Sequence, residues 1–174
     1  MPSYEAGAAG RMLAASRRAH SLQAEIHRNN LDQTGIHMKR LTLEFALRVI
    51  DGALARATEL SCAPLTVVVL DAGGHDIALK RQDGSGILRV DIARGKAWGA
   101  LGMGFSSREI AERAQKVPAF IGALASVSQG RVVPAAGGVL ILDDERNVAG
   151  AVGISGDTSD RDEDCALSGI KATG

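Results

Sequence analysis

From Thr42 to Leu60 the apolar residues Leu43, Ala46, Leu47, Ile50, Leu54, Ala57 and Leu60 return at steps of three and four, the spacing of one face of an α-helix. Thr42 stands just ahead of the first and supplies the side-chain oxygen of an N-cap. Pro64 ends the connection and the pattern changes. Leu65-Thr-Val-Val-Val-Leu-Asp71 is apolar and β-branched, Asp76-Ile-Ala-Leu-Lys-Arg81 alternates polar with apolar, and Gly73-Gly74 lies between them, which predicts a hairpin. Ile87 to Met103 reads as a second long helix through Val90, Ala93, Ala97, Ala100 and Leu101. Ser106-Ser-Arg-Glu109 has the form of a capping box that opens a third helix, and Pro118 begins a further turn of helix through Leu124.

Three strands are predicted in the second half: a short one at Arg131-Val-Val133, a longer one at Gly138–Leu142 and another at Val148–Ile154, the last two joined by the polar turn Asp143-Asp-Glu-Arg-Asn147. Asp160 to Ala172 closes the chain as a helix whose first turns hold Asp160, Asp162, Glu163 and Asp164, matching the positive end of the helix dipole. The order of elements is that of an α+β fold with a mostly antiparallel sheet. Met1 to His37 differs, being rich in Ala, Arg, His, Asn and Gln with few apolar positions. Residues 1–40 are therefore expected to form an N-terminal arm, helical or disordered, ahead of a compact domain over 41–174.

The chain's 174 residues suffice for one such domain plus the arm. Hydrophobic residues make up 45% and aromatics only 3%, with 21 glycines, so the core must be built from small aliphatic side chains and close backbone approaches. Twenty basic residues balance twenty acidic ones, leaving no net field to favour nucleic acid or an anionic membrane. Apolar runs such as Leu65–Leu70 are strand-length and too short to cross a bilayer. The N-terminal region has no continuous apolar stretch of the kind a secretory signal needs, so a cytoplasmic location is expected. Cys62 and Cys165 lack metal-ligand spacing and read as two reduced thiols, with a disulfide or redox pair as the alternative.

No phosphate-binding glycine motif is present, and His20, His27, His37 and His75 form no metal-ligand pattern. The chemistry-bearing candidates are charged residues beside tight turns: Asp71 at a strand end, Arg81 and Asp83 entering a loop, and Lys96 in a helix of small residues. Arg89 and Lys96 are seven residues apart and share a helix face, which either holds carboxylates or a phosphate or is simply solvated. Asp71 and Asp83 also suit local backbone hydrogen bonding at turns. His75, at the hairpin tip, offers an exposed imidazole able to act as an axial haem ligand. Trp98 and Met103 suit a flat ligand, the core or a subunit interface. The run Gly150-Ala-Val-Gly153-Ile-Ser155-Gly156 has glycines where a backbone or ligand must approach closely, so Gly153, Ser155 and Gly156 are expected to wall a ligand site.

Taken in order, Leu65–His75, Arg81-Gln-Asp-Gly84, Ile92-Ala-Arg-Gly-Lys-Ala97, Pro134-Ala-Ala-Gly-Gly138, Val148–Gly156, Asp162-Glu163 and Ala166 resemble the GlcG/HbpS family, also called haem-degrading or PduO C-terminal-like, over about Leu41 to Gly174. The resemblance implies a profilin-like α+β fold, a central antiparallel sheet flanked by helices, and assembly into homo-oligomers. It further implies a haem, tetrapyrrole or comparable small-molecule ligand, since some members bind haem and one group is attached to a corrinoid adenosyltransferase. The family's helix usually reads Lys-Ala-x-Thr-Ala, whereas this chain has Lys96-Ala-Trp-Gly99-Ala100, without the hydroxyl. In the haem reading Arg81, Arg89 or Lys96 pairs with the propionates. The alternative is a cofactor-independent isomerase or lyase of a small carboxylate, with Lys96 or Arg81 neutralising the substrate and Asp71 or Asp83 moving a proton. A third reading makes the charged set subunit contacts.

Overall fold

The computed structural model describes residues 41–174; the expected arm lies outside the described residues. Helix α1 (Leu43–Glu59) begins as its sequence predicts, with Thr42 Oγ1 accepting from the Phe45 N–H at 3.1 Å. The hairpin follows as β1 (Thr66–Asp71) and β2 (Asp76–Arg81), then α2 (Arg89–Met103), α3 (Ser107–Lys116) and α4 (Pro118–Val127). Strands β3 (Gly138–Leu142) and β4 (Val148–Ser155) and helix α5 (Ser159–Lys171) complete the order.

All strand pairs are antiparallel and the sheet runs β2-β1-β4-β3, so β1 and β4 are central. Burial on both faces explains the unbroken apolar run of β1. Val67 and Val69 face α1 and α5, where they meet Ala46, Val49, Ile50, Ala53, Ile154 and Cys165. Val68 and Leu70 face α2, against Ala93, Ala97 and Ala151. Helix α2 lies very close to this face, because a Cβ on Gly153 of β4 would overlap the Ala93 carbonyl oxygen.

Two expectations change. The buried stripe of α1 is Ala46, Val49, Ile50, Ala53 and Ala57, while Leu43 and Leu47 are exposed. Small residues win the inner positions because α1 crosses α5 at Gly169, where any Cβ would meet the Val49 carbonyl and Ala53. Arg131–Val133 is not a strand. Its partner is a helix: Val133 N–H donates to the Gly95 carbonyl of α2 at 3.3 Å, and Val132 covers Gly99. The two glycines leave a groove on α2 that a β-ladder would not reproduce.

Replacing Gly153 with Ala should force α2 off the sheet and cost about 1–3 kcal/mol. Gly102→Ala, on the same helix where a Cβ finds no closer neighbour than Trp98 at 3.9 Å, should leave stability unchanged or raise it. Thermal unfolding of the two variants checks this, and equal melting temperatures would refute the close-approach account.

Candidate functional site

The candidate residues fall into two groups at opposite ends of the β1–β2 hairpin. At the turn end, Asp71 Oδ1 accepts from the His75 backbone N–H at 2.9 Å and lies 3.3 Å from His75 Nδ1. The backbone hydrogen bond from His75 is the chief reason the Asp71 carboxyl titrates below its usual range. A carboxylate on Nδ1 favours the tautomer with the proton there, leaving Nε2 as the free nitrogen of an exposed ring. Gly74, with φ +81°, sets the turn flat against Trp98: a Cβ there would stand 2.9 Å from the indole Cδ1 and Nε1. Over the indole lies the Arg131 guanidinium, 4.1 Å from the ring centroid. Arg131 carried no signal in the sequence beyond its charge; it arrives because the 131–133 segment follows α2.

At the other end, Arg81, Thr66 and Ser155 are direct cross-strand partners on β2, β1 and β4. Side chains directly opposite share a face, and with Val68 and Leu70 this is the face under α2. The Arg81 Nη1 donates to the Ser85 carbonyl at 2.9 Å, and the hydroxyls of Ser85 and Thr66 are 2.9 Å apart and buried. Arg89, the first residue of α2, donates to Ser155 Oγ at 3.2 Å. Arg81 also lines a recess of about 500 Å3 with Cys62, Pro64, Gln82 and Asp83. Gly156 lies where a Cβ would overlap the Pro64 carbonyl.

Lys96 belongs to neither surface. It is 3% exposed, donates to Asp162 Oδ2 at 2.8 Å and to the Ile154 carbonyl at 2.9 Å, and so joins α2 to α5 past the end of β4. Asp162 Oδ1 accepts in turn from the Asp157 N–H at 3.1 Å. Burial lowers the Lys96 ammonium and raises the Asp162 carboxyl, each opposed by the partner's charge. A signal for this pair stood in the sequence: Asp162 lies on the same stripe of α5 as buried Cys165, Ala166 and Gly169, an acid on an apolar face. Gly153 serves the packing of α2. Cys165 is buried beside Cys62; both are free thiols, and burial first, then Cys62, pushes the Cys165 thiol up to about 12.

The structure thus brings together Arg81, Arg89, Ser155 and Gly156, with Asp83 on the recess wall. Asp71 and His75 stand a six-residue strand away, about 17 Å at strand rise. A proton-moving Asp71 beside Arg81 or Lys96 is therefore not assembled. Among the described residues, no group of three or more His, Cys, Asp or Glu side chains is placed to hold a metal ion. No helix among them is long and apolar enough to cross a membrane.

Sheet order, helix layers on both faces and charged strand ends define a profilin-like α+β domain. Residues 41–171 match the family model "Haem degrading protein HbpS-like", and the chain belongs to that family. It is 30% identical over 122 residues, 70% of this chain and 84% of the relative, to an uncharacterized 15.0 kDa protein of the dhaT-dhaS intergenic region of Citrobacter freundii. A crystal structure of a PduOC:haem complex superposes with a TM-score of 0.69 at 30% identity, covering 76% of this chain and 94% of that one. HbpS of Streptomyces reticuli, crystallised as a double mutant, gives 0.68 at 26% identity, covering 78% and 88%.

Asp162→Ala leaves Lys96 buried without its counter-charge and should cost about 3–5 kcal/mol, whereas the double variant Lys96→Met/Asp162→Leu should recover most of that loss. Denaturant unfolding of the single and double variants measures this; additive losses would mean that the two charges do not act as a pair.

Proposed function

We propose that this protein binds haem or a comparable flat small ligand at the turn end of the hairpin, as a cytoplasmic homo-oligomer. The observation that carries the reading is His75, whose Nδ1 is held by Asp71 while Nε2 is left for a ligand. A carboxylate on the far nitrogen fixes an imidazole's tautomer and orientation, as is usual for metal-ligating histidines. Arg131 supplies a cation for a propionate. Haem bound here would contribute its iron chemistry; His75 and Arg131 would hold and orient the group. Membership of a haem-degrading family and likeness to a PduOC:haem complex support the same reading.

An apolar wall is the remaining need, and α4 offers one. Its sequence Pro-Ala-Phe-Ile-Gly-Ala-Leu-Ala-Ser-Val has no buried residue, with Phe120 53% and Val127 80% exposed, and it ends four residues before Arg131. A helix apolar all round belongs in an interior, which a second copy would provide. The cytoplasm suits two adjacent cysteines that are free thiols.

Haemin added to the full chain should give a Soret band that shifts on binding, and His75→Ala should abolish the shift or convert it to that of weakly held haem. Absence of any shift, or an unchanged spectrum for the variant, would remove His75 as the ligand. By light scattering after size exclusion the protein should be a dimer or larger, and Phe120→Glu/Val127→Glu should lower the oligomer size. A wild-type monomer would refute the interface.

A further inference from the structure

We infer that the loop end of the sheet is a second binding site, for a small dicarboxylate, with Arg81 and Arg89 as its two anchors. This goes beyond the haem reading, because Arg81 and His75 stand at opposite ends of the hairpin, their backbones about 17 Å of strand apart.

The argument begins with charge. Arg48, Arg56, Arg94, Arg108, Arg113 and Arg161 each form an ion pair with a carboxylate. Among the described residues, Arg81, Arg89, Arg131 and Arg146 form none; Arg131 is stacked on Trp98, while Arg81 and Arg89 are each held through one nitrogen on a neutral oxygen, the Ser85 carbonyl and the Ser155 hydroxyl. Arg89 also acts on the buried Lys96–Asp162 pair, lowering the tendency of Lys96 to hold its proton. That pair is neutral as a unit, so the Arg89 charge is surplus.

The platform is built rather than incidental. Thr66 and Ser155 are fully buried and Ser85 is 5% exposed, and they hold the row Arg81–Thr66–Ser155 rigid beneath the start of α2. Helix α2 has no side-chain cap, since its N-cap position is Leu88, so its positive end adds to the same field. The backbones of Arg81 and of Ser155, to which Arg89 donates, are two strand spacings apart, about 10 Å. Two separated forks suit an anion charged at both ends better than a compact one such as phosphate, and each fork matches a carboxylate. The recess beside Arg81 supplies room, and Asp83 on its wall opposes the anion.

Malonate and succinate, titrated into the full chain by calorimetry, should bind saturably, and acetate about tenfold or more weakly, as loss of one charged hydrogen-bonding end implies. Arg81→Met and Arg89→Met should each weaken the dicarboxylates by about tenfold or more, and Asp83→Asn should tighten them. Arg81 lies exposed on the edge strand, so its variant keeps the fold intact even if that of Arg89 does not. The haemin spectrum of Arg81→Met should match the wild type, which separates this site from His75. The inference is overturned if neither dicarboxylate binds saturably, or if Arg81→Met binds them as the wild type does. It is equally overturned if Arg81→Met removes the haemin shift, which would make Arg81 a propionate partner.

Discussion

The approach of α2 to the sheet is the constraint on which the rest depends. The Ala93 carbonyl occupies the space a side chain at Gly153 would fill, and Ala93 and Ala97 pack directly on Val68, Leu70 and Ala151. At that distance Lys96 has no path to solvent and must end at Asp162 and the Ile154 carbonyl. The same closeness places Arg89 over Ser155 at one end of the helix and Trp98 against Gly74 at the other. Both candidate sites are thus edges of a single helix–sheet contact. An aromatic-poor composition is its counterpart, since bulky side chains on α2 would hold the layers apart.

Helix and strand boundaries were legible because local signals and tertiary burial agree: the Thr42 cap, the Gly73-Gly74 turn and the Ser106 cap all act within a few residues. At Ser106 the hydroxyl accepts from the Glu109 N–H, while the Glu109 carboxylate turns to Arg113 instead of closing the box. Faces were less legible. Lys96 and Arg89 share a helix face by spacing, but spacing cannot say that the face is covered, and here the cover comes from α5, 66 residues on. Arg131–Val133 has strand composition, yet what it meets is the bare backbone of α2 at Gly95, a partner no local pattern reports.

The separation of the two charged groups follows from antiparallel geometry. A hairpin brings its turn and its open end to opposite edges of the sheet, so Asp71-to-His75 and Arg81-to-Asp83, though adjacent in the motif series, face different solvent. Sequence proximity of Asp71 and Arg81 therefore misleads about chemistry. What joins Arg81 to residues of β4 and α2 is cross-strand register, through Thr66 to Ser155 and on to Arg89.

Gly99 shows how one position of this scaffold sets the path of a neighbouring segment. A hydroxyl-bearing side chain is usual there in the family the sequence resembles; in this chain its place is filled by Val132, with a Cβ at Gly99 only 3.1 Å from Val132 Cγ1 and 3.3 Å from Ile110 Cδ1. A threonine would press the 131–133 segment outward, and that segment carries Arg131 onto Trp98. The glycine admits the segment, and the segment carries the Arg131 guanidinium onto Trp98, the ring against which the Gly74 turn packs. The turn end of the hairpin thus carries His75 on Asp71, with Gly74 packed on the Trp98 indole and the Arg131 guanidinium over the same ring.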